Sequence, residues 1–128
     1  MIFVDAHYII ALASSSDRWH GKAVELLPRV KEGERVTSEL MVSELMTLVS
    51  SLHGGEEAVR IYNYIKDNYL IYKSDGIFDE IILDFLKYDF GLSFADSSAI
   101  TIMKKLDIHE IISFDSGFDK VEDIVRIY

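Results

Sequence analysis

The sequence predicts an α/β fold in which a central, mainly parallel sheet of about five short strands is covered by helices on both faces. Three observations lead there. Short apolar runs of β character alternate with longer stretches of helical period. Acids stand directly after two of those runs, at the edge where parallel α/β sheets collect ligands. The 128 residues suit a single domain, 1–128, with chain enough for a proper core.

The elements follow in order. Ile2 to Val4 is the first strand, ended by Asp5, and His7 to Ala13 is helical until Ser14, Ser15, Ser16 and Asp17 break it. A second helix runs from about Arg18 to Lys31 on Ala23, Leu26, Leu27 and Val30, with the single proline, Pro28, kinking or shortening its last turn. Gly33 stops it and Arg35 to Thr37 form a second strand. Thr37 or Ser38 caps a third helix through His53, whose Leu40, Met41, Leu45, Leu48, Val49 and Leu52 keep helical spacing. After Gly54 and Gly55 come a helix over Glu56 to Asp67, a strand over Leu70 to Tyr72 and a helix over Gly76 to Tyr88.

The next stretch, GLSFADSSAITIM from Gly91 to Met103, places a lone acid, Asp96, in the first turn of an otherwise apolar helix that runs from about Ser93 to Leu106. Ser93 is its expected N-cap, and the helix dipole favours a carboxylate there. Ile111 to Phe114 is a strand leading into Asp115, Ser116 to Val121 a short helical turn, and Ile124 to Ile127 the last strand.

Composition narrows the function. Thirteen Lys and Arg against 22 Asp and Glu give a formal charge of -9, which opposes any protein that holds DNA mainly through phosphate contacts. If five acids, Asp5, Glu44, Asp96, Asp115 and Asp119, gather on divalent cations, setting them aside leaves -4. There is no cysteine, so thiolate metal sites are out. The opening MIFVDAHYII has no basic n-region, and no uncharged stretch reaches the roughly 18 residues of a membrane helix, so the expected location is the cytoplasm, away from the membrane. A hydrophobic fraction of 49% with mean hydropathy +0.14 predicts a sticky surface, covered by a second copy or a partner protein.

Asp5, Asp96 and Asp115 taken singly read equally well as helix caps. Together, with no basic residue immediately beside any of them, they read as a site of oxygen ligands suited to Mg2+ or Mn2+, not to zinc. The third helix offers a fourth acid. Glu44, bordered by Leu40, Met41, Leu45 and Leu48, is preferred, while Glu39 in the first turn reads as a surface acid favoured by the dipole.

These residues resemble the PIN-domain family, in particular its small VapC-like members. FVDA around Asp5, TSELMVSEL with Glu44, LSFADSSAI with Asp96 and ISFDSGFD with Asp115 carry the resemblance, in order across nearly the whole chain. It implies a three-layer α/β/α domain and a ribonuclease that hydrolyses RNA with Mg2+ or Mn2+. It further implies a catalytic and metal-binding quartet of Asp5, Glu44, Asp96 and Asp115, with Asp119 as an additional metal ligand. A toxin role, an antitoxin partner and a homodimer come with the same likeness. One departure is Ala6, where the family often has Ser or Thr. Ser97, Ser98 and Ser113 lie near the acids with either ordinary structural roles or a part in ordering a carboxylate.

RNA is expected single-stranded, since exposed bases can stack on Trp19, Tyr8 or His7, although partial core packing also explains Trp19. Arg18, Lys22, Lys104, Lys105 and Arg126 are the candidate cations for its backbone. His7, His20, His53 and His109 have no shared spacing and read as surface or helix-end residues; His7, close to Asp5, is the only one placed within reach of substrate. Tyr62, Tyr64, Tyr69 and Tyr72, with Ile61 and Ile65, offer core packing and a groove for a partner helix or a second copy. Two rival readings stay open: a non-catalytic binding module of this fold, and a receiver-type phosphoryl-transfer domain, which fits less well because a single Asp follows the first strand and no Lys follows the strand at Ile111 before Lys120.

Overall fold

The computed structural model describes residues 1–128. Five strands form one sheet: β1 (Ile2–Val4), β2 (Arg35–Ser38), β3 (Leu70–Tyr72), β4 (Glu110–Ile112) and β5 (Val125–Ile127). Their order is β3-β2-β1-β4-β5, and all four pairings are parallel, so the sheet is wholly, not just mainly, parallel. The helices are α1 (Ala6–Ala13), α2 (His20–Val30), α3 (Glu39–His53), α4 (Gly55–Asn68), α5 (Phe78–Lys87) and α6 (Phe94–Leu106), and a 3-10 helix spans Ser116–Lys120.

Strand runs such as Phe3-Val4 and Ile111-Ile112 are fully buried, as a sheet covered on both faces requires. Departures from the expected boundaries are local. The helix expected from Arg18 starts at His20, because Asp17 Oδ1 accepts from the Trp19 N–H at 2.8 Å and holds that stretch in a turn. It ends at Val30, two residues after Pro28, which has no N–H to return to the chain. The helix expected from Gly76 starts at Phe78, since the Ile77 N–H closes a turn on the Ser74 carbonyl.

Chain order outward from β1 runs one way to β2 and β3 and the other way to β4 and β5. The reversal lies between β1 and β4, the position where doubly wound sheets open a crevice at their carboxyl edge. Helix α6 is the internal helix: every residue from Asp96 to Met103 is buried. Small residues let it pack closely, and their hydroxyls are satisfied within the fold. Ser97 donates to the Ser93 carbonyl, and Thr101 donates to the Ser97 carbonyl and to Asp84. By contrast α5 buries only Ile81 and covers α6 from outside. No helix is long and apolar enough to cross a membrane.

Candidate active site

Three of the expected acids are held by local hydrogen bonds at the starts of helical segments. Asp5 is the N-cap of α1, accepting from the His7 N–H at 3.4 Å, and its own N–H extends the sheet by donating to the Ile112 carbonyl at 3.1 Å. Asp96 closes a capping box with Ser93: its Oδ2 accepts from the Ser93 N–H at 3.0 Å, and Ser93 Oγ accepts from the Asp96 N–H at 3.0 Å. Asp115 caps the 3-10 helix through the Gly117 N–H at 2.8 Å. A Cβ on Gly117 would stand 2.8 Å from Leu92 and 3.1 Å from the Asp115 carboxylate, so a glycine is what lets the chain pass this close.

Side chains then draw these segments to one place. Ser113, directly after β4, donates its hydroxyl to Asp5 Oδ2 at 2.6 Å and accepts from the Asp115 N–H at 3.0 Å. Ser38, at the end of β2, caps α3 through the Met41 N–H and meets Ser98 Oγ at 2.8 Å, tying the first turns of α6 to the sheet edge. Glu44 reaches in from α3, and His7 Nε2 lies 3.3 Å from its Oε1.

Asp5, Glu44 and Asp96 share one electrostatic field with His7. Burial raises the Asp5 carboxyl, and Glu44 raises it further, while the Ser113 hydroxyl and His7 act the other way. Burial first and the Asp5 charge second push Asp96 up to about 6, against the lowering by its two bonds to Ser93. The hydrogen bond to Glu44 lifts His7 to about 9 despite partial burial, with Asp5 and Asp96 adding to the effect. His7 is therefore a cation among acids, a structural counter-charge that sequence reasoning had cast only as a substrate contact. An Asp-x-His pattern at the start of a helix was its one visible signal.

The donor set is all carboxylate oxygen, with His7 as the counter-charge beside Asp5, Glu44 and Asp96 and Arg126 near Asp115. That chemistry fits a hard divalent cation. As the side chains stand, no three Asp, Glu or His groups are drawn close enough together to enclose an ion.

Several expected residues lie elsewhere. Asp119 is held by Arg126, which clasps it at 2.9 and 3.0 Å and also donates to the Ser113 carbonyl at 3.2 Å. Arg126, its side chain only 7% exposed, is thus spent inside the fold and is no cation for a polyanion. Lys104 and Lys105 pair with Asp84 and Glu80 on α5, and Lys22 pairs with Glu25. Of the five proposed cations, Arg18 alone makes no ion pair; its guanidinium lies 4.7 Å over the Trp19 ring. Tyr8 is fully buried, its hydroxyl on the Ala23 carbonyl, and cannot stack on a base. Glu39 is not a free surface acid, because it accepts from the Ser74 N–H at 2.7 Å and from its hydroxyl, pinning the loop after β3. Among the tyrosine-rich residues, Ile61 and Tyr64 border an apolar cleft of about 190 Å3 between α1 and α4, together with Ile9 and Leu12.

Comparison with known proteins adds the following. A family profile described as PIN domain matches residues 2–124. Among solved structures, VapC20 of Mycobacterium tuberculosis, a toxin that cleaves the sarcin-ricin loop, is similar at 24% identity with TM-score 0.82 over 93% of each chain. VapBC2 of Rickettsia felis, bound to a promoter DNA fragment, is 12% identical with TM-score 0.69, covering 99% of this chain and 98% of its own. FitAcB of Neisseria gonorrhoeae is 16% identical with TM-score 0.67, covering 100% and 97%. No curated protein matches the sequence at a significant level.

Proposed function

The chain belongs to the PIN domain family, and from that premise we propose that it is a metal-dependent endoribonuclease, the toxin of a toxin-antitoxin pair. The observation that carries this reading is the gathering of Asp5, Glu44 and Asp96 at the switch-point crevice, where burial first and the Asp5 charge second lift the Asp96 carboxyl to about 6 and His7 pairs with Glu44. Groups held at this electrostatic disadvantage are characteristic of functional sites.

In this reading Asp5, Asp96 and Asp115 hold Mg2+ or Mn2+, with Glu44 completing the set or orienting the attacking water. The bound cation supplies an activated water and neutralises charge on the phosphate oxygens. The chain's own residues do the rest. Ser113 fixes Asp5 and the Asp115 backbone in one register, Ser93 fixes Asp96, and His7 keeps Glu44 aimed at the cluster. Asp119 becomes a ligand only if its pair with Arg126 opens.

Partners follow from the surface. The cleft of Ile9, Leu12, Ile61 and Tyr64 suits an apolar partner helix, as expected of an antitoxin, and the similar Rickettsia structure is a VapBC complex. The outer face of α5 suits a second copy of the chain.

A non-catalytic module remains the competing reading, since each aspartate also does a cap's work. Incubation of purified protein with structured and single-stranded RNAs, in Mg2+, in Mn2+ and in EDTA, beside Asp96→Asn, separates the two. Cleavage that requires metal and vanishes in the variant supports the nuclease. No cleavage, with no Mn2+ binding by calorimetry, sinks it.

A further inference from the structure

Beside the acids opens a cleft of about 240 Å3 lined by His7, Asp17, Trp19, Phe114 and Asp115. Its aromatic wall is built, not incidental. The Trp19 indole stacks on Phe114 at 4.9 Å with 7° between the ring planes, and Phe114 in turn leans on the fully buried Tyr8 at 6.1 Å. Asp17 Oδ1 holds the Trp19 N–H at 2.8 Å and so fixes the loop that presents the indole. Yet Trp19 stays 37% exposed, more than a residue placed for the core alone. Arg18, which makes no ion pair, rides on the indole.

We propose that this cleft seats an unpaired purine of the RNA next to the scissile phosphate, guanine before the others, an inference that rests on the nuclease reading. Two of its five lining residues, His7 and Asp115, border the acids, so a base held here puts its own phosphate beside them. The Trp19 indole, backed on one face by Phe114, offers its other face to an unstacked base once Arg18 moves off it, and purines stack over the larger area. Asp17 supplies selectivity: a carboxylate only accepts hydrogen bonds. Guanine presents N1–H and N2–H side by side to such an acceptor, whereas the same edge of uracil carries one N–H between two carbonyls that a carboxylate repels. Arg18 is free to leave the indole for a flanking phosphate.

Trp19 is the single tryptophan of the chain, so its fluorescence reports the base directly. In EDTA, guanosine should quench it saturably, with half-saturation at a concentration ~10-fold below that of uridine, and Asp17→Asn should remove the difference. With Mn2+, Trp19→Ala should cleave a random single-stranded RNA ~10-fold more slowly and at altered positions, and Trp19→Phe should restore both rate and positions. Absence of saturable quenching overturns the base seat, as does a cleavage pattern unchanged in Trp19→Ala and Asp17→Asn while the wild type cuts. Wild-type protein that cuts no RNA overturns the nuclease reading instead, and the nucleoside titration then decides the seat by itself.

Discussion

Ser113 donates its hydroxyl to Asp5 at 2.6 Å across 108 positions of sequence, and the same oxygen accepts from the Asp115 N–H. One small side chain thus sets the spacing of two acids that follow neighbouring strands. Ser113→Ala leaves the buried Asp5 carboxylate without its strongest donor, which costs ~1–3 kcal/mol of stability. The Asp5 carboxyl should also rise further, weakening Mn2+ binding at neutral pH. Thermal unfolding and calorimetry with Mn2+ check both; an unchanged Mn2+ affinity would remove Ser113 from the site.

How much of this was legible in the chain depends on distance along it. Strand-helix alternation, the cap at Ser93 and the place of Asp5 and Asp115 directly after strands follow from local pattern, whereas the adjacency of β1 and β4 that makes a switch point there does not. Long-range side-chain pairs left no periodic trace. Arg126 reads in the sequence as a cation for RNA, yet it pairs with Asp119, and Glu39 reads as a surface acid, yet it holds Ser74, 35 residues away. Ser38 and Ser98 gave no sequence signal at all, because a serine at a strand end or in a helix reads the same whether or not it meets another.

Asp96 makes the stability of the metal-free protein depend on pH. Its carboxyl titrates at about 6 folded against 3.8 in an unperturbed chain, so between those values the native state carries a proton that the unfolded state has lost. Stability therefore falls as pH rises through that window, by at most ~3 kcal/mol for a shift of about two units. Asp5, also raised, adds in the same direction. Asp96→Asn, which keeps an acceptor for the Ser93 N–H, should be more stable than wild type in EDTA at pH 7 and equal to it near pH 3.5. His7 acts separately: raised from 6.5 to about 9, its contribution is complete below 6.5 and is lost as pH climbs through 9. Denaturant midpoints across pH 3.5 to 9 test the sign. A wild type that gains stability from pH 4 to pH 6.5 relative to Asp96→Asn would contradict it.

Asp119 separates structure from catalysis. Its carboxyl is held below the usual range by the Arg126 guanidinium, and the pair sits about half exposed on its acidic side. Asp119→Asn should leave metal-dependent cleavage within ~2-fold and lower stability only slightly, as expected of an exposed ion pair. Arg126→Ala should cost more, because Arg126 also donates to the Ser113 carbonyl and lies 3.7 Å from the Tyr128 ring centroid. Loss of activity in Asp119→Asn with unaltered unfolding would instead make Asp119 a metal ligand.

The outer face of α5 bears on assembly. Phe78, Ile82, Leu83, Phe85 and Leu86 are all exposed, with Leu83 and Leu86 at 67% and 66%, although helical residues of this type normally face a core. A contiguous apolar face on one helix is more than a monomer ordinarily leaves in water. Of the three acids on the same helix, Glu80 and Asp84 turn back to Lys105 and Lys104 of α6, while Asp79 stays exposed and makes no ion pair. Those pairs neutralise two of the three acids, so two copies that bring their α5 faces together need only leave Asp79 in water at the rim. Leu83→Asp with Leu86→Asp should convert a dimer to a monomer in sedimentation equilibrium while the far-ultraviolet circular dichroism stays the same, since neither side chain packs in the core. A wild type that sediments as a monomer at every concentration assigns the face to some other partner.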